Sequence, residues 1–158
     1  MQPTQRSLQL WRARGWRVYP VERWVGPPPE PGEKYNPRRR RVDFGGFADL
    51  IAYRRGEVVA IQTTSHEGMR ARLRKFRKPA DEEQREASAA LFDWLEGDVC
   101  RFVVEGWKKH KDRVAGRQWR ETVVEVRQAD LPLPPPDEED LARWAEEDGD
   151  DSSPGEAP

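Results

Sequence analysis

An acid and an amide lie symmetrically about an Arg-Gly pair in the segment Asp49-Leu50-Ile51-Ala52-Tyr53-Arg54-Arg55-Gly56-Glu57-Val58-Val59-Ala60-Ile61-Gln62-Thr63-Thr64. If Arg55-Gly56 is a two-residue turn, Arg54 faces Glu57 and, five residues further along, Asp49 faces Gln62. Directly opposed Cβ atoms on antiparallel strands lie about 4.5–5.5 Å apart. A carboxylate and an amide carbonyl at that separation offer two oxygen ligands to one hard divalent cation. Strand alternation adds Thr64 to the face that carries Gln62. Arg-Gly is not the favoured hairpin pair, and a bulged loop would move the register by one residue. On these residues alone, an Asp and a Gln on a solvated sheet face need no ligand.

The flanking elements must hold that pair in place. Residues 7–14 carry Leu8 and Trp11 at helical spacing, with Gly15 as a stop. Residues 16–24 alternate as one strand, in which Pro20 points to an edge or a bulge. Residues 26–37 hold five prolines and two glycines and read as a loop. Arg38, Arg39, Arg40 and Arg41 then lead into Val42-Asp43-Phe44-Gly45-Gly46. Residues 47–53 and 57–63 are rich in β-branched and aromatic residues, which predicts two strands. Residues 68–78 predict a helix with Met69, Leu73 and Phe76 on one face and six basic residues around it, ended by Pro79. Asp81 and Gln84 form a capping-box pattern for a second helix, striped by Ala87, Leu91, Trp94 and Leu95 and ended at Gly97. Residues 99–105 and 122–127 read as strands joined by a basic loop over 108–117. His66 is expected to cap the helix or touch a phosphate, and His110 to belong to the basic loop.

Composition bounds the partners. The 158 residues suit one domain, and the core must be lean, since 35% are hydrophobic and 36% charged. Seven tryptophans offset this with large buried areas. The formal charge of -1 conceals two opposed regions. Residues 137–158 hold ten acids and one arginine, a net of -9, whereas residues 1–136 carry 27 basic and 19 acidic side chains, a net of +8. A basic folded part fits a polyanionic partner as well as simple solubility. The proline-rich stretch 131–136 and the acidic residues after it lack the hydrophobicity to order themselves, so the division is a domain over 1–130 and a tail over 131–158. The single Cys100 excludes an internal disulfide and reads as structural. No apolar run approaches membrane-spanning length and residues 1–9 lack a secretion signal, so a cytoplasmic location, in a bacterial or phage-infected cell, is expected. There is no zinc-ligand spacing, phosphate-binding glycine loop or dinucleotide fingerprint.

The order helix, strand, loop, Asp-bearing strand, strand ending in a polar triplet, basic helix resembles the plan of the PD-(D/E)XK nucleases, closest to small Holliday-junction-resolvase-like and VRR-type members. Gly15-Trp16-Arg17-Val18 is similar to the end of their first helix and start of their first strand, and Asp49-Leu50-Ile51-Ala52 to their first acidic motif. Ala60-Ile61-Gln62-Thr63-Thr64-Ser65 is similar to their second motif, normally two apolar residues followed by Glu-x-Lys, here in a Gln-x-Thr version found among phage and bacterial members. The likeness spans residues 7–127.

The resemblance implies an α/β fold with a restriction-endonuclease-like core, a central mixed β-sheet flanked by helices. It implies an Mg²⁺- or Mn²⁺-dependent DNA endonuclease, acting on branched or structured DNA as a homodimer. By position Asp49 takes the metal-binding Asp role, Gln62 the Glu role and Thr64 the Lys role. Gln62 removes one negative charge from the site, and Thr64 brings no positive charge to a phosphate. Asp43 or Glu22 would then supply the missing carboxylate as further metal ligands, and Lys75 or Arg72 the missing cation. Asp43 equally suits a turn residue before Gly45-Gly46, and Glu22 a solvated strand position. Arg38 to Arg41, Arg70, Arg72, Arg74, Lys75, Lys108 and Lys109 are the expected contacts to backbone phosphates. Two rival readings stay open: a DNA-binding module of the same fold without catalysis, and an interaction protein whose acidic tail mimics DNA, binds a basic partner or screens the chain's own basic face.

Overall fold

The computed structural model describes residues 1–34, 36–114, 117–136, 138, 141 and 142. The acidic stretch beyond Pro136, with Trp144 and the roles expected of it, lies almost wholly outside the described residues. The elements in chain order are α1 (Pro3–Ala13), β1 (Arg17–Pro20), β2 (Arg23–Val25), β3 (Arg40–Val42), β4 (Leu50–Arg54), β5 (Glu57–Ser65), α2 (Met69–Arg77), α3 (Glu82–Trp94), β6 (Cys100–Val114) and β7 (Arg117–Val126). The fold is α/β: a mixed five-stranded sheet in the order β1-β4-β5-β6-β7, with a separate two-stranded ribbon of β2 and β3.

Strand β5 is the centre of the sheet because its run Val59-Ala60-Ile61-Gln62-Thr63 is buried on both faces. It pairs antiparallel with β4 and parallel with β6. A parallel pair needs a long crossover, and α2 and α3 provide it. Asp81 caps α3 by accepting from Gln84 N at 2.8 Å, while Gln84 Oε1 accepts from Ala80 N. Glu82 and Glu83 follow in the first turn, where the helix dipole favours acids. Pro20 sits in β1, an edge strand, where a missing N–H is tolerated.

The two faces of the sheet carry separate cores. Helix α1 covers Val18, Leu50, Ala52, Val59, Ile61 and Val103 with Trp11, which meets Trp16 edge-on at 5.1 Å. Helices α2 and α3 cover Ala60, Phe102 and Val104 with Met69, Phe76 and Leu91. Leu131, just past β7, is buried in this second core. Among the described residues no helix is long and apolar enough to cross a membrane.

Three expectations are corrected. The strand expected over 16–24 is broken into β1 and β2, because Val21 N and Glu22 N both turn to Asp49 O (2.9 and 3.4 Å). The basic loop expected over 108–117 is mostly strand, with Lys108 opposite Arg120 and Lys109 opposite Trp119 in a long hairpin. Helix α1 begins at Pro3 rather than Ser7, since proline suits the first helical position.

Glu105 of β6 is fully buried on the α1 face, where Trp11 Nε1 donates to its Oε2 at 3.2 Å. Burial raises its pKa above the ordinary 4.5, and the Trp11 and Ser7 donors beside it offset part of that rise. A carboxyl whose folded pKa is raised contributes stability that is full below its unfolded value and lost as pH climbs through the folded one. Glu105→Gln is therefore expected to gain stability relative to wild type between pH 4.5 and pH 8. Urea unfolding at both pH values measures this; equal gains at the two would contradict it.

Candidate functional site

Arg55 and Gly56 both have positive φ (+50° and +85°), as a type I′ turn demands. Arg54 accordingly faces Glu57, and the register runs on through Leu50 opposite Ile61. The ladder ends there: Asp49 N donates to Ile61 O at 3.0 Å, one residue out of step, and the contact with Gln62 is made by the side chains. Asp49 and Gln62 thus meet as expected: Gln62 Nε2 donates to Asp49 Oδ2 at 2.7 Å.

Asp49 is held by more than that bond. Thr63 N and Thr63 Oγ1 also donate to Oδ2, at 2.7 and 2.9 Å. With its only proton committed to Asp49, Thr63 Oγ1 must accept from Thr4 Oγ1 of α1, 2.8 Å away. Three charge-assisted bonds on one oxygen fix the carboxylate of a residue only 6% exposed. Thr63 lies within the polar triplet Gln62-Thr63-Thr64, between the two motif positions and outside both.

Two further acids join Asp49. Glu22 follows the break after β1, and Asp43 follows β3; one carboxylate oxygen from each, with one from Asp49, lie within 4.8 Å of one another. The Gly45-Gly46 turn returns the chain from Asp43 to Asp49. Both glycines have positive φ, and a Cβ on Gly45 would fall 2.5 Å from the Phe47 ring, so glycine is required there. Asp43 has its pKa raised, first by burial and then by the charges of Asp49 and Glu22; Lys75 and Arg72 oppose the rise. Glu22 is ion-paired with Arg41.

Lys75 of α2 is half-buried and donates from Nζ to Gly46 O at 2.6 Å. Its pKa is lowered by burial and by Arg72, and Asp43, Glu83 and Asp49 counter that. Lys75 and Asp43 line one cleft of about 400 Å³ with Arg40, Arg41, Val42, Gly46 and Glu83. Glu83 carries no signal beyond its place in a helix's first turn.

Thr64, in the motif's lysine position, lies against the start of α2, where a Cβ on Gly68 would collide with its Oγ1. It brings no cation to the cleft; Lys75 does. The basic residues of α2 divide: Arg72 acts on Asp43, whereas Arg70, Arg74, Arg77 and Lys78 line a second groove with His66 and Leu73. Arg70, Arg74, Lys108 and Lys109 do not line the cleft. Helix α2 has Gly68 as its N-cap and no side-chain cap, so the capping expected of His66 is not made; Gly68 N donates to Ser65 O at 3.0 Å and Ser65 Oγ at 3.2 Å.

Gln62 supplies the sharpest sign of an incomplete site. Its Oε1 is buried and has no hydrogen-bond partner among the described residues. Desolvating a carbonyl oxygen without a donor costs about 1–3 kcal/mol, and the oxygen belongs to the amide bonded to Asp49. The three carboxylates of Glu22, Asp43 and Asp49 suit a hard divalent cation. Gln62→Glu puts a second carboxylate within hydrogen-bond distance of Asp49. It is expected to lower the melting temperature in EDTA by about 3–10 °C, with Mn²⁺ restoring most of the loss. A thermal shift with and without Mn²⁺ decides this: no loss in EDTA, or no rescue, counts against a cation site.

No protein-family model matches the chain, and neither curated proteins nor solved structures give a match.

Proposed function

We propose that the chain is a metal-dependent DNA endonuclease with a restriction-endonuclease-like core, hydrolysing phosphodiesters in the cleft between the β2–β3 ribbon and α2. The observation that carries this reading is the meeting of Glu22, Asp43 and Asp49, with Asp43 sharing its cleft with Lys75, Arg40 and Arg41. Phosphodiester hydrolysis needs that combination: acids for a cation, a positive group for the phosphoryl oxygens, and further cations along the strand.

Asp49, Asp43 and Glu22 would hold Mg²⁺ or Mn²⁺ with Gln62 Oε1. That ion, when bound, polarises a phosphoryl oxygen and makes a water more acidic. Asp49 is fixed by Gln62 and Thr63, so it needs little rearrangement to act. Lys75, anchored on Gly46 O, holds positive charge beside the acids and takes the role that Thr64 cannot. Arg40 and Arg41 on the rim bind backbone phosphates and orient the strand.

One contact favours a second reading. Arg41 pairs with Glu22, so an arginine rather than an ion can neutralise part of the acid cluster. In that case the chain is a DNA-binding module without catalysis. Incubation with plasmid and branched DNA in Mg²⁺, Mn²⁺ or EDTA separates the two. Cleavage in metal and none in EDTA supports the endonuclease; salt-sensitive binding without cleavage in either metal supports the module.

A further inference from the structure

The β2–β3 ribbon presents a tryptophan that serves no core. Trp24 is 55% exposed, and all three residues of β2 are exposed. Large exposed aromatics are informative because burial would release their apolar surface from water. Trp24 is held by cations instead. The Arg39 guanidinium lies 5.0 Å from its ring centroid and that of Arg41 5.7 Å. Arg41 is also the cross-strand partner of Trp24 and a lining residue of the cleft. The ring therefore stands next to the acid cluster, within the Arg38–Arg41 run.

We infer that the β2–β3 ribbon recognises single-stranded DNA next to a duplex, stacking Trp24 on an unpaired base while Arg39 and Arg41 hold the adjoining phosphates. The inference rests on the reading of the cleft as a DNA site and names the substrate class that cleft receives. A base paired within a duplex has both faces covered by its neighbours, whereas an unpaired one offers a face to a side chain. Base–aromatic stacking is sequence-tolerant, and arginines beside the ring add phosphate contacts.

The test is fluorescence anisotropy in EDTA, which separates binding from cleavage. The probes are a labelled duplex and the same duplex with a single-stranded overhang, against the full chain, Trp24→Ala and Trp24→Phe. Wild type is expected to prefer the overhang. Stacking of one base predicts that Trp24→Ala reduces that preference about 10-fold, and that Trp24→Phe keeps most of it. Circular dichroism checks that both variants fold. No preference in wild type, or a preference unchanged in Trp24→Ala, overturns the inference. So does an equal loss for both probes. Failure of the nuclease reading registers elsewhere, as absent cleavage in Mn²⁺ with the overhang preference intact.

Discussion

Asp49→Asn is expected to reduce metal-dependent DNA cleavage by more than about 100-fold, since loss even of groups that merely orient metal ligands costs 10- to 100-fold. The substitution keeps the shape of a residue that is buried and bonded through one oxygen to Gln62 Nε2, Thr63 N and Thr63 Oγ1. It removes the charge of the one acid in the cluster that the sheet itself holds. Glu22 and Asp43 lie outside the five-stranded sheet and cannot replace it in position. Rates on one DNA substrate across a range of Mn²⁺ concentrations measure the effect. Wild-type rates at saturating Mn²⁺ would show that Asp49 is structural and would move the chemistry elsewhere.

Lys75→Met is the second large effect, about 100- to 1,000-fold in rate, the usual cost of removing a charged group aimed at the reacting oxygens. Methionine preserves the apolar stem and loses the ammonium that donates to Gly46 O. The pH dependence carries the signature. Burial raises the pKa of Asp43 in the metal-free protein, so protons compete with the cation for that acid, and the acid limb should move down as Mn²⁺ is raised. Burial lowers the pKa of Lys75, so its charge is lost at lower pH than an ordinary lysine, and the alkaline limb moves down. Lys75→Met should abolish the alkaline limb and leave the acid one. A profile whose alkaline limb survives in Lys75→Met assigns that limb to another group and removes Lys75 from the chemistry.

The hairpin was legible because it is local. Period-two alternation on both strands and a glycine at the second turn position determine the register, even though Arg55 must adopt a left-handed backbone to complete it. The helix bearing Lys75 was legible from Met69, Leu73 and Phe76 alone. The ribbon was not. Residues 16–24 alternate without interruption, and what divides them is a single distant carbonyl, Asp49 O, which captures the amides of Val21 and Glu22. The long β6–β7 hairpin was hidden for a different reason. Residues 108–113 are nearly all charged, so no hydrophobic period marks them, and the ladder to β7 runs in register only as far as Lys109. Thr63 escaped notice because its neighbour Thr64 occupies the motif position. Glu105 did so because one acid at the end of an apolar strand has no pattern to betray its burial.

The one parallel pairing among the described residues, β5 with β6, also sets a timetable for assembly. Hairpins form in about 1–10 μs, so β4 and β5 can bring Asp49 and Gln62 together early, from neighbouring sequence. Lys75 rides on the crossover, which docks only when β6 reaches β5 across residues 66–99. Non-local closures of this kind are the slow ones. A nascent or partly unravelled chain therefore holds Asp49 without Lys75, and the proposed site is completed only with the last and most distant pairing.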